Sequence, residues 1–214
     1  MIKPITILAA LITLITLPGC NLVAPVAYAI HGPEKINPVY TLPENATTVV
    51  FVDDPSSKIA QRRLRYAMAD VATKELLEKR IVTDMLDPQG IIATASKDAH
   101  TKLSSVSDLG KSVGADIVIY AVVTNFSLSP ESGSYIPRAT LNVKVIDVAK
   151  GKRVWPESNF GFPVEIQIPQ RPGLSPNAGA AQLAIEQQLA ARTGLGLAQL
   201  FYRHESTETV LFRR

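Results

Sequence analysis

A single cysteine, Cys20, in 214 residues rules out any disulfide within the chain. The molecule is therefore not a small stapled scaffold and has to be held together by a core. Charge is sparse as well: Asp, Glu, Lys and Arg make up 19% of the chain, too little for a disordered acidic or basic tail. Aromatic residues account for 6%, with one Trp, which excludes the stacking platforms that bind single-stranded nucleic acid or carbohydrate. No apolar run reaches the roughly 20 residues that a membrane-crossing helix requires. The pI of about 9.0 points towards nucleic acid, yet 22 basic residues stand against 19 acidic ones. Lys3 is the one charge in residues 1–19, so without that segment the balance is 21 to 19. No nucleic-acid partner is expected, because such binding needs a clustered basic face. What remains is 46% hydrophobic content, enough for one globular domain with a sizeable core.

The N-terminus carries the most specific signal. A short basic start at Lys3 precedes residues 5–17, a stretch of apolar residues and threonine with the length of a signal-peptide apolar region. It ends in Leu17-Pro18-Gly19-Cys20. That phrase resembles the lipobox of bacterial lipoproteins. The resemblance implies a signal peptide over residues 1–19 cleaved after Gly19, lipidation of Cys20 (palmitate among the acyl chains), and anchoring to the envelope by lipid. Asn21 follows the acylated position where Asp would retain a lipoprotein in the inner membrane. This favours the outer membrane, with the domain facing the periplasm. The alternative is an uncleaved N-terminal anchor with Cys20 a free thiol.

Residues 20–46 read as a lipid-anchored tether, since Pro25, Pro33, Pro38, Pro43 and Gly32 prevent a continuous helix. Fully extended, such a segment reaches about 90 Å. A single domain is expected over residues 47–205, with a tail over 206–214. Its opening run, TVVFVD at 48–53, suits a strand buried on both faces. Asp54-Pro55 then reads as a helix cap with proline at the first helical position, starting a long amphipathic helix over 56–79. A second strand is expected over 81–85, a short helix over 89–96 after Asp87-Pro88, and another over 105–113 closed by Gly114. Residues 115–128 form the most hydrophobic stretch of the domain. With the alternating run 138–148 and a strand opening near Arg153, they predict an antiparallel meander. Four prolines make 163–176 a long irregular loop, and 178–202 is expected to be helical, weakened by Gly194 and Gly196. The fold class is α/β (α+β): a mixed central sheet with a meander in its C-terminal half, flanked by helices.

Three phrases resemble the CsgG/LpoB-like lipoproteins of bacterial envelopes: DLGKSVGADIVIYAVVTNF (108–126), VKVIDVAKGKRVWP (143–156) and the closing Ala-rich helix. That family includes a curli-channel subunit and an activator of penicillin-binding proteins. The resemblance covers about residues 47–205 and implies a central mixed sheet flanked by helices. The chain departs from it in having no pair of long alternating segments for membrane-spanning hairpins, so a channel is not expected.

Chemistry-bearing patterns are few. Asp53 and Asp54 sit where a buried strand ends, a favoured place for sites in open α/β sheets. VVFVDDP looks like the opening of a receiver domain, but residues 115–123 lack the phosphoryl-accepting Asp at their end. His31, His100 and His204 are scattered, and His204-Glu205 reads as a solvated end. Trp155 and Tyr120 read as packing residues on strands. There is no Gly-x-Ser-x-Gly elbow and no phosphate-binding glycine loop, so no catalytic residue, metal or cofactor is expected. Two readings stay open. One is a non-catalytic module that binds another envelope protein or itself, through the 129–134 loop (Ser129, Glu131) and the proline-rich run (Gln167, Gln170, Arg171). The other is a ligand-binding or hydrolytic domain using Asp53 and Asp54. A cleft gathering polar groups around Asp53 favours the second, and a bare capping role the first.

Overall fold

The β-branched run at the head of the domain forms β1 (Thr48–Asp53), buried over its first five residues. The computed structural model describes residues 35–98, 104–129, 135–169, 179–206 and 210–212. β1 pairs in parallel with β2 (Ile117–Ser127), from Thr48 opposite Ile117 to Asp53 opposite Val122. The rest of the sheet is antiparallel. β3 (Arg138–Asp147) pairs with β2, with β4 (Lys152–Trp155) and with β5 (Phe162–Gln167), and β5 pairs with β6 (Val210–Phe212). The order is β1-β2-β3-β5-β6, with β4 beside β3. Four helices and two further two-residue strands, Lys35–Ile36 and His204–Glu205, complete the described elements; the helices are α1 (Arg62–Glu78), α2 (Pro88–Asp98), α3 (Val106–Val113) and α4 (Ala180–Gln199). This is the mixed sheet with a meander and flanking helices that the hydrophobic patterns imply.

Both faces of the sheet are covered near β1. Val50 and Val52 join Leu64, Met68 and Leu76 of α1 and Leu189 and Leu197 of α4 in one cluster. Val49 and Phe51, which point the other way, join Ile91 of α2 and Leu109 of α3 in a second. On β3, Leu141, Val143 and Val145 enter the first cluster, the alternation read from the sequence. α1 and α4 cross closely at Gly194, where a Cβ would run into the Met68 carbonyl oxygen and the Val71 Cβ. Contacts group Ile36–Arg214 into one compact unit.

Local signals held at α2 and α3. The Asp87 carboxylate accepts from the Gln89 N–H at 2.8 Å, and the Ser105 hydroxyl accepts from the Asp108 N–H at 3.1 Å. Gly114 ends α3 in the left-handed region at φ 80°. Other expectations give way. The segment 81–85 is not a strand, because its backbone groups are committed elsewhere. Ile81 N–H donates to Leu76 O, Thr83 N–H to Glu44 O, and Met85 alone bridges Thr48. The proline-rich run is not wholly irregular. Phe162–Gln167 is a strand between β3 and β6, with Val164, Glu165 and Ile166 all buried. Pro163 sits near its start, outside the three residues that β6 pairs. Residues 210–212 are a strand rather than tail. Part of the tether is packed: Leu42 is buried, the Tyr40 ring lies 5.7 Å from that of Trp155, and Val39 N–H donates to Leu200 O. His204 is buried against Tyr202 instead of solvated.

Candidate functional site

Asp53 ends β1, and the period-two alternation of a strand puts it on the same face as Phe51. Tyr120, opposite Phe51 on β2, brings its ring within 5.4 Å of Phe51 and donates its hydroxyl to Asp53 Oδ2 at 2.9 Å. Burial, then the charge of Asp53 and this hydrogen bond, hold the Tyr120 phenol well above its ordinary range. It is therefore a fixed donor, not a base. From the first turn of α1, Arg65 Nη1 approaches Asp53 Oδ1 to 3.9 Å, a charge contact beyond hydrogen-bonding range. Both side chains are largely covered, at 14% exposure for Arg65 and 26% for Asp53.

Asp54 has a different employment. Its Oδ1 accepts from Lys58 N–H and its Oδ2 from Ile59 N–H, both at 2.8 Å. The turn it organises delays the helix, so α1 starts at Arg62 with Gln61 as an N-cap that makes no side-chain cap bond. The expected cap with Pro55 at the first helical position is thus replaced by a loop clasp. Both Asp54 oxygens are occupied by backbone, so the two acids do not converge on one point as paired general acid and base need.

Asp53, Arg65 and Tyr120 open onto a cavity of about 750 Å³, walled by Phe51, Ile59, Val106 and Leu109 and edged by Arg62, Ser96 and Ser104. The sequence posed a polar cleft against a bare cap; Asp53 faces the cleft and Asp54 clasps its own loop, so neither acid caps α1. Arg65 escaped the sequence reading because it falls on the polar side of α1. A signal was present: Arg62, Arg63 and Arg65 crowd a first turn that has no acid, against the helix dipole.

The residues proposed for partner contact are dispersed. Gln167 lies in β5, not in a loop, and donates to Glu165 Oε1 at 2.8 Å. Ser129 is exposed just after β2, its N–H on the Ser127 hydroxyl. Glu131, Gln170, Arg171, Gly19 and Cys20 lie outside the described residues. A surface feature that the sequence did not disclose is Phe160, 83% exposed between β4 and β5. Among the described residues no group of three His, Cys, Asp or Glu is placed to hold a metal ion.

No protein-family model and no curated protein matches the chain. Solved structures resemble it. The PelC dodecamer from Paraburkholderia phytofirmans is 16% identical, over 80% of this chain and 97% of that one, with a TM-score of 0.42. Lipoprotein GNA1162 from Neisseria meningitidis is 17% identical, over 67% and 92%, with a TM-score of 0.39. The LpoB C-terminal domain from Salmonella enterica is 12% identical, over 59% and 85%, with a TM-score of 0.34.

Proposed function

We propose that the chain is an exported lipoprotein, acylated at Cys20 and held at the outer membrane facing the periplasm, whose domain is a non-catalytic module that binds another envelope protein or a second copy of itself. Phe160 carries this reading. A phenylalanine left in water forgoes about 1.5–3 kcal/mol of burial, and exposed aromatics are the residues on which protein interfaces concentrate their energy. The loop that holds it is fastened. Arg153 Nη2 donates to Glu157 O at 3.0 Å and to Asn159 Oδ1 at 2.9 Å, and Phe160 N–H donates to the Ser158 hydroxyl at 3.3 Å. Gly161, at φ 94°, lets the chain pass against the Val143 carbonyl, where a Cβ would crowd it. A loop already ordered has little entropy left to lose on docking.

The test is a photo-reactive amino acid at position 160 of the anchored protein in intact cells. A discrete cross-linked species is expected, absent when the probe replaces exposed Lys74 on α1. Mass spectrometry of the product separates a foreign partner from a second copy. Cross-linking indistinguishable between the two positions would defeat the proposal.

A further inference from the structure

We propose that the cavity at the end of β1 is a binding site for a small zwitterion of the amino-acid class bearing an apolar side chain. Arg65 would take its carboxylate and Asp53 its ammonium group. This goes beyond partner binding and does not depend on it.

Three observations converge. The first is the state of Arg65. A guanidinium has five N–H donors, and no described residue accepts a hydrogen bond from this one, although the side chain is only 14% exposed. Asp53 is near enough to attract it yet too far to satisfy it. A planar carboxylate entering the cavity would meet the guanidinium fork as a bidentate partner. The second is charge balance. Asp53 and Asp54 oppose Arg62 and Arg65 around the cavity, leaving no formal net charge. A doubly charged phosphate would meet Asp53 beside Arg65, and a polycation would meet the arginines. A ligand with one charge of each sign meets a partner for both. Tyr120 fixes the acceptor side of this pair, since its hydroxyl holds Asp53 Oδ2 and leaves Oδ1 towards Arg65. The third is the wall. Phe51, Ile59 and Leu109 supply an apolar surface next to the charged pair. The volume of about 750 Å³ lies in the range of small-molecule sites, roughly 300–1,000 Å³.

Calorimetric titration of the intact lipoprotein in detergent tests this with five probes: phenylalanine, leucine, glycine, 3-phenylpropionate without the ammonium group, and phenethylamine without the carboxylate. Saturable binding of phenylalanine or leucine is expected, with a loss of about tenfold or more on removing either charged group or the side chain. Arg65→Gln should weaken phenylalanine and 3-phenylpropionate while sparing phenethylamine, and Asp53→Asn should do the reverse. If Arg65→Gln lowers the folding transition, Arg65→Lys keeps the charge and removes the fork, and should still weaken the carboxylate probes. Binding of no probe, or equal binding of phenylalanine and both truncated analogues, overturns the assignment.

Discussion

Adjacent aspartates differ in what a substitution at each would reveal. Asp54 satisfies two backbone amides of its own turn, so Asp54→Ala should lower unfolding free energy by about 0.5–2 kcal/mol. Chemical denaturation reads this directly, and an unchanged midpoint would mean that water replaces the carboxylate at no cost. The neighbouring phenol has a pH signature. Tyr120 and Tyr202 are both raised above the ordinary 10.0, chiefly by burial, with Asp53 and Glu75 as their acidic neighbours. Above pH about 10 the unfolded chain releases tyrosine protons that the folded chain retains. The stability present below that pH is therefore lost progressively as pH rises through it. Tyr120→Phe should make the fall shallower; an equally steep fall would mean that Tyr120 ionises normally in the fold. At this scale the sequence showed that a strand-end acid stood at Asp53. It could not show which of the two acids the loop would consume, because that depends on the turn between Pro55 and Gln61 and not on residue type.

Helices and strands were legible where periodicity was uninterrupted. The run that became β2 and the alternation of β3 needed only their own residues, because Ile117, Ile119, Ala121 and Val123 of the one and Ala139, Leu141, Val143 and Val145 of the other form apolar faces at every second residue. β5 was missed although Val164, Ile166 and Ile168 alternate with Glu165 and Gln167, because Pro163 and Pro169 frame the run and prolines ordinarily argue against a strand. What overrides them is tertiary: the segment has β3 on one side and β6 on the other. The opposite error at 81–85 has the same origin, since a β-branched run becomes a strand only where a ladder is free to receive it. Glycines within helices make the point quantitative. Gly194 looked like a weakness in α4, yet it is the residue that permits the close crossing with α1. Gly194→Ala should destabilise by about 1–3 kcal/mol, because the added methyl meets backbone that cannot step aside. Gly90→Ala, whose methyl would rest 3.7 Å from Val113, should instead stabilise by about 0.5–1 kcal/mol. Thermal unfolding of the two variants should shift in opposite directions, and shifts of the same sign would contradict the packing account.

For the whole molecule, the proposed lipid at Cys20 and the exposed Phe160 belong to one argument about concentration. A module bound to a membrane meets a partner on that membrane at an effective concentration set by the chain between lipid and domain. Because Ile36 already belongs to the compact domain, with Val39 and Leu42 packed on it, the chain from Cys20 to Ile36 extends at most about 55 Å, less than the full tether first implied. A shorter span confines the domain to a thinner layer and raises that concentration further. Cys20→Ser should abolish lipid labelling and move the protein to the soluble fraction while its unfolding transition stays put, since no described contact involves the lipidation site. Cross-linking through position 160 should then fall by about tenfold or more at equal protein amount and return when the soluble variant is supplied in excess, as expected when the anchor contributes proximity and no contact. Retention of Cys20→Ser in the membrane would show instead that residues 5–17 remain as an uncleaved anchor. Undiminished cross-linking from the soluble fraction would show that the partner is not on the membrane.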